Sequence, residues 1–145
     1  MNNESKYAEV TKSLWINSAC ISKKIESSLG SIHGIGLTEY MVLHNLVNAP
    51  NKMLRRVDLA SSVGRTASGV TRMLLPMEKL GLIDKELSPR DARASLVKIT
   101  LVGEQIFNDA SSTLSQKSEQ LLDRLNRKQI DTLLSLLNLM HGAER

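Results

Sequence analysis

RRVDLASSVGRTASGVTRMLLPMEKLG, from Arg55 to Gly81, is the stretch whose reading decides the fold. Val57, Leu59 and Ala60 supply the apolar positions of a short first helix. Gly64 suits a backbone that must reverse with positive φ after a helix end, and Thr66 is placed to cap a second helix with its hydroxyl. Along Ala67 to Gly81, the residues Val70, Met73, Leu74, Met77 and Leu80 recur at steps of three and four and so share one inward face. Arg65, Ser68, Arg72 and Lys79 are expected to point the other way. Pro76 falls inside this helix, where it removes an N–H and crowds the carbonyl of Arg72 at a cost of ~3 kcal/mol. Because the apolar spacing runs on through Met77 and Leu80, a kinked helix is expected rather than a broken one. Two helices joined by a tight turn, the second carrying small, hydroxyl and guanidinium side chains on its open face, form a helix-turn-helix suited to a major groove.

The chain continues through Leu82-Ile83-Asp84-Lys85-Glu86-Leu87, turns at Ser88-Pro89-Arg90-Asp91-Ala92-Arg93, and returns along Ala94-Ser95-Leu96-Val97-Lys98-Ile99. The returning run alternates in part, with Leu96 and Ile99 as its apolar markers, so a two-stranded hairpin is expected. Its tip is charged. Arg90 and Arg93 there would reach phosphates or a minor groove if the hairpin acts as a wing.

Asp58-Leu59-Ala60, Ser68-Gly69-Val70-Thr71-Arg72, Glu78-Lys79-Leu80-Gly81-Leu82-Ile83, Asp91-Ala92-Arg93, and Ile99-Thr100 followed by Gly103 together carry a resemblance. In order and spacing they closely resemble the MarR (multiple antibiotic resistance regulator) family of bacterial winged helix-turn-helix transcription factors, over nearly the whole chain. The resemblance implies that Arg93 inserts in the minor groove with Asp91 holding its guanidinium, and that the open face of the helix from Thr66 reads bases. The DNA-facing set is then Arg65, Thr66, Ser68, Thr71 and Arg72 on the helix-turn-helix, with Arg90, Asp91 and Arg93 on the wing. It also implies a homodimer, and a small aromatic or phenolic effector received between the dimer helices and the winged-helix lobe. Trp15, His33 and Met41 are the candidate lining residues of such a pocket.

Charge distribution agrees with a polyanionic partner. The formal net charge is +4. Between Asn51 and Lys98 ten Lys and Arg face five Asp and Glu, whereas the rest of the chain holds nine against ten. A basic excess confined to one region is what an electrostatic footprint for a polyanion looks like, which with the helix-turn-helix points to double-stranded DNA as partner; without the helix-turn-helix, a solvated basic face would be the simpler reading. With one Trp, two Tyr and one Phe among 145 residues, the core must be built from aliphatic side chains and Met, which favours packed helices over a sandwich. A single cysteine excludes an internal disulfide, and the cytoplasm is the default location. Neither a leader-like apolar segment at the start nor a membrane-spanning stretch is apparent.

The chain ends read as helices. From about Ser5 to Leu29, Tyr7, Val10, Leu14, Ile21 and Ile25 make an amphipathic face, with Trp15 and Cys20 alongside. Gly30 to Gly36, with three glycines, reads as a connector. Thr38 is expected to cap the next helix with Leu37 stapled to Val42; Val42, Leu43, Leu46 and Val47 form its apolar face, and Pro50 closes it. After the hairpin, Thr100 should cap a helix striped by Leu101, Ile106, Ala110, Leu114, Leu121 and Leu125. Asn126 and Gln129 resemble a capping box opening the last helix. There Ile130, Leu133, Leu134, Leu137 and Met140 make one face, and Leu136 and Leu139 a second. A helix apolar on so much of its circumference needs a partner surface. Val10, Leu14, Leu133, Leu137 and Met140 are therefore the candidate dimer contacts.

The expected class is mainly α: residues 1–36 as dimerisation helix and connector, 37–100 as the winged helix-turn-helix, 101–145 as C-terminal dimerisation helices. His33, His44 and His141 stand in separate segments without metal-ligand spacing, so no metal or cofactor is expected. No glycine-flanked nucleophile elbow supports an enzyme. Two alternatives stand beside a dimeric regulator, most simply a repressor: a redox sensor through Cys20, and a winged-helix module that binds protein. The neighbours of Cys20, Trp15-Ile16-Asn17-Ser18-Ala19, do not reproduce the pattern of peroxide-sensing relatives, and no cation lies close before Lys23 and Lys24.

Overall fold

The computed structural model describes residues 5–63, 66–87 and 95–142. Helix α1 spans Lys6–His33, opened by Ser5, whose hydroxyl accepts from the Ala8 N–H at 3.1 Å. It runs through Gly30, Ser31 and Ile32, which the glycine count had marked as connector. Gly30 costs about 1 kcal/mol relative to alanine in mid-helix, and fully buried Leu29 together with Ile25 anchors those turns on the core. The helix stops at Gly34, whose φ of 71° gives the left-handed cap, and whose N–H donates to the Gly30 carbonyl.

Helix α2, Leu37–Val47, follows after two more residues. Its N-cap is Gly36 rather than Thr38, which lies inside the first turn. Glu26 supplies a capping oxygen from α1: its Oε2 accepts from the Leu37 N–H at 2.8 Å. A local pattern could not reveal a cap supplied from eleven positions back. Val42, Leu43 and Leu46 are buried as expected, with Tyr40 added. Tyr40 stacks on Phe107 at 5.2 Å between centroids and shares a 2.8 Å hydrogen bond with Ser111.

Pro50 opens a 3-10 turn, Pro50–Lys52, in which Asn51 and Lys52 both take positive φ. A short strand follows, β1, Met53–Arg55, which carries no sequence alternation because it is three residues long. Next come α3 (Arg56–Ser62), α4 (Ala67–Lys79), β2 (Ile83–Leu87), β3 (Ser95–Ile99), α5 (Leu101–Leu121) and α6 (Arg127–Gly142). The sheet is antiparallel with order β1-β3-β2; Met53 pairs with Lys98, and Ile83 with Ile99. On β3 the buried residues are Val97 and Ile99, a strict period of two, with Leu96 only partly buried.

The core gathers these elements around Leu29, Leu43, Leu46, Leu59, Leu74 and Ile83. Three residues expected inward are exposed: Val57, Leu80 and Leu101. Each sits at a helix end, where the axis has not yet reached, or has already left, the packed layer. Leu80 caps a Schellman turn: Gly81 at φ 75° donates to the Glu78 carbonyl, and Leu82 to Met77, both at 3.0 Å. Thr100 then caps α5, its hydroxyl accepting from the Gly103 N–H at 3.0 Å and donating to the Gly81 carbonyl at 2.5 Å. A Cβ at Gly103 would overlap the Leu82 carbonyl oxygen, so α5 rests directly on the entry to β2. The Asn126 and Gln129 capping box forms reciprocally, both bonds at 2.9 Å.

Helix α1 packs along α5, and His33 meets the Thr113 hydroxyl at 2.6 Å. Beyond that contact the apolar side chains of both chain ends lie open: Tyr7, Val10 and Ile16 on α1, and Leu134, Leu136, Leu137, Leu139 and Met140 on α6. Among the described residues no helix is long and apolar enough to cross a membrane.

Candidate nucleic-acid interface

Helix α4 is positioned by its apolar face. Val70 and Leu74 are fully buried, Met77 nearly so, and Met73 packs partly against them. Ser68, Arg72 and Lys79 are left exposed on the opposite side, with Thr71 partly buried between the two. Thr66 caps the helix, its hydroxyl accepting from the Gly69 N–H at 3.1 Å. Pro76 lies inside α4, and the helix continues unbroken past it to Lys79. Its ring is exposed and falls after the turns that carry Ser68 and Arg72.

The hairpin strands lead away beside this helix as far as the Leu87 and Ser95 pair. Arg65, Arg90, Asp91 and Arg93 lie outside the described residues, as do Gly64 and Pro89.

Arg56 is a residue that sequence reasoning missed. It begins α3, and its guanidinium reaches two other elements: Nη1 donates to Thr71 Oγ1 on α4 at 3.5 Å, and Nη2 to Ser95 Oγ on β3 at 3.3 Å. Its Nε is buried without a hydrogen-bond partner among the described residues. One side chain thus sits where the first helix, the second helix and the hairpin meet. Nothing local announces it, since Arg55 beside it has the same chemistry and a different fate. Arg55 grips Asp58 at the first turn of α3, Nε to Oδ2 at 2.8 Å and Nη2 to Oδ1 at 3.1 Å. That hydrogen bond, more than charge attraction, holds the Asp58 carboxyl below the usual carboxylate range and the Arg55 guanidinium above its own.

Two carboxylates near the lobe are paired with cations. Glu78 pairs with Lys85 at 3.3 Å, and Glu104 with Lys52. Arg72 and Lys79 pair with no carboxylate among the described residues, so the open face of α4 presents unneutralised positive charge beside two hydroxyls.

The other candidates fall as follows. Val10, Leu137 and Met140 are exposed on this chain, and Leu14 and Leu133 partly so. Trp15 is 75% exposed midway along α1, whereas His33 ends that helix. At ~1.5 Å per residue they stand about 27 Å apart, so one chain does not bring them to one pocket. Met41, on α2, is 38% exposed. Cys20 is an exposed free thiol on α1.

A helix-turn-helix flanked by a three-stranded sheet whose last two strands form a hairpin defines a winged-helix protein. A MarR family model matches residues 33–94. The transcriptional regulator HosA of Escherichia coli O111:H- is 28% identical over 105 residues, 72% of this chain and 76% of that protein. Two solved structures share the fold over almost their whole length. The transcriptional regulator BldR from Sulfolobus solfataricus superposes with a TM-score of 0.88, covering 99% of each chain at 20% identity. Sco3205, a MarR family transcriptional regulator from Streptomyces coelicolor solved in complex with DNA, gives 0.85 over 98% of this chain and 93% of that one, also at 20%. Residues 33–94 are thus similar to the MarR family of transcriptional regulators, and the chain as a whole shares the fold of these solved structures.

Proposed function

We propose that this protein is a homodimeric, cytoplasmic repressor that binds an inverted-repeat DNA operator through α4 and the hairpin wing. The observation that carries the reading is the open face of α4, where Ser68 and Arg72 stand exposed and, among the described residues, no carboxylate pairs with the arginine. The DNA complex of the structurally similar Sco3205 supports it. In this reading the chain divides its work: residues 37–100 grip DNA, and the two ends, 1–36 and 101–145, hold the dimer through Val10, Leu14, Leu133, Leu137 and Met140. Half-sites then lie about one helical turn apart, to match the two-fold axis. A small aromatic or phenolic effector releases the DNA, and Met41 and His33, near the junction of α1 and α2, are better placed to feel it than Trp15.

The two kinds of DNA contact separate experimentally. Arg72 reads a base edge in the major groove, with Thr66, Ser68 and Thr71 around it and Arg65 before it. Arg72→Ala should cost about 1–3 kcal/mol and relax preference at particular base pairs. Arg93 enters the minor groove, oriented by Asp91, with Arg90 on phosphate. Arg93→Ala should weaken binding to all sites and lower the salt slope by about one. Affinities for the operator and for point-mutated operators across a salt series check both. If neither substitution changes affinity at any salt, the lobe does not hold DNA in this way.

A further inference from the structure

A second polar site lies away from α4, between the two long helices. Helices α1 and α5 run in opposite senses, since His33 meets Thr113 while Ser28 shares a cavity with Lys117. That cavity has a volume of about 690 Å³, within the range that takes small molecules. Lys23 and Lys24 line it from α1 and Lys117 from α5, with Gln120 and Ser28 beside them and Cys20 at one end.

Its charge is one-sided. None of the three ammonium groups has a carboxylate within ion-pair distance among the described residues, and no carboxylate lines the cavity. Acidic residues do occur on these helices, but they serve elsewhere. Glu26 turns to the Leu37 N–H, and Glu119 lines a different cavity together with Asp123. Three like charges drawn from two elements and left unneutralised around one hollow favour a ligand carrying more than one negative charge. A ligand with anionic groups at both ends could engage the lysines of both helices at once. The amide and hydroxyl then supply directional donors that bulk counterions do not need.

We propose that this cleft binds a small organic polyanion, one with at least two anionic oxygen groups, held by Lys23 and Lys24 on one side and Lys117 on the other. Such a ligand ties α1 to α5 at a point distinct from the DNA face and from the α1 and α2 junction. The site stands on its own lining and needs no assumption about DNA.

Cys20 offers a direct gauge, because it is the chain's only cysteine and borders the cleft. The intact protein is treated with the dianionic disulfide dithiobis-nitrobenzoate and, separately, with neutral dithiodipyridine. The cysteine thiolate attacks one sulfur and releases the other as a coloured thiolate or thione. The ratio of the two rates should be about tenfold higher in the wild type than in the Lys23→Gln, Lys24→Gln, Lys117→Gln triple variant. If the triple variant does not fold, the three single variants should each lower the ratio about twofold. Citrate and inorganic pyrophosphate are then added at constant ionic strength. Saturable slowing by citrate alone assigns polycarboxylates, by pyrophosphate alone phosphate compounds, and by both the shared polyanion chemistry. Three results would overturn the proposal: a ratio unaffected by the lysine substitutions, slowing no greater than that given by matched sodium chloride, or a Cys20 unreactive to both reagents in the native protein because another surface fills the cleft.

Discussion

Arg56 does its work by being shared. Its two contacts sit at the long end of hydrogen-bond geometry, 3.5 and 3.3 Å, so neither alone contributes much, yet together they tie α3 to both α4 and β3. Arg56→Ala should cost about 1–2 kcal/mol in unfolding free energy, measured in urea, and weaken operator binding severalfold without changing base preference. Arg56→Lys should recover stability better than alignment, because one ammonium cannot fork to two elements. Asp58 gives a pH-dependent counterpart. Its folded pKa is depressed, chiefly by the hydrogen bond from Arg55. The stabilisation it provides is therefore whole above the unfolded carboxylate value and is lost as pH falls through the lower folded one. Asp58→Asn should melt below the wild type at neutral pH and converge with it in strong acid; a constant gap across the titration would refute the linkage. Residues of this kind mark the limit of the sequence. The Thr66, Thr100 and Asn126 caps were legible because donor and acceptor lie within three positions. Glu26 on Leu37 and Arg56 on Ser95 were not, because those partners meet only after folding.

At the scale of elements, the junction of hairpin and α5 is held by direct backbone contact. Thr100 fastens the start of α5 to the Gly81 and Leu82 carbonyls, and Gly103 lets the helix touch the backbone at Leu82. Gly103→Ala should destabilise the fold by about 1–3 kcal/mol despite alanine's better helix propensity, since backbone cannot step aside as a side chain can. A thermal melt checks the sign. A rise in melting temperature would mean that α5 is free to shift. The helix-turn-helix was readable from its period, and α4 keeps that period through Pro76. The connector was misjudged at Gly30 because three glycines signal a break locally, while the burial of Ile25 and Leu29 holds the helix together from outside it. Strand β1 was too short to show alternation; it exists because β3 offers it a free edge.

For the whole molecule, the open apolar side chains are the largest debt left by the single chain. Leu134, Leu136, Leu137, Leu139 and Met140 on one short helix, together with Val10 and Ile16 on α1, exceed what isolated surface residues explain. Leu133→Asp and Leu137→Asp should each convert a dimer to monomer in sedimentation at micromolar concentration and abolish operator binding, since each half-site is held weakly alone. A wild-type monomer there would remove the basis for the two-fold operator. Mainly helical architecture, the lobe and the helical ends were all visible in composition and spacing. The wing tip and the turn at Gly64 and Arg65 fall outside the described residues, so Arg65, Arg90, Asp91 and Arg93 stand as assignments for the operator experiments.

Trp15 offers an optical test of the proposed dimer. It is the only tryptophan in the chain, and its indole stands open on the same helix as Val10 and Leu14. An indole in water emits at the red end of its range, and one enclosed by a partner emits to the blue. If the proposed dimer encloses Trp15, emission should shift to the red on dilution before helical circular dichroism is lost, so that dissociation and unfolding read out as two separate events.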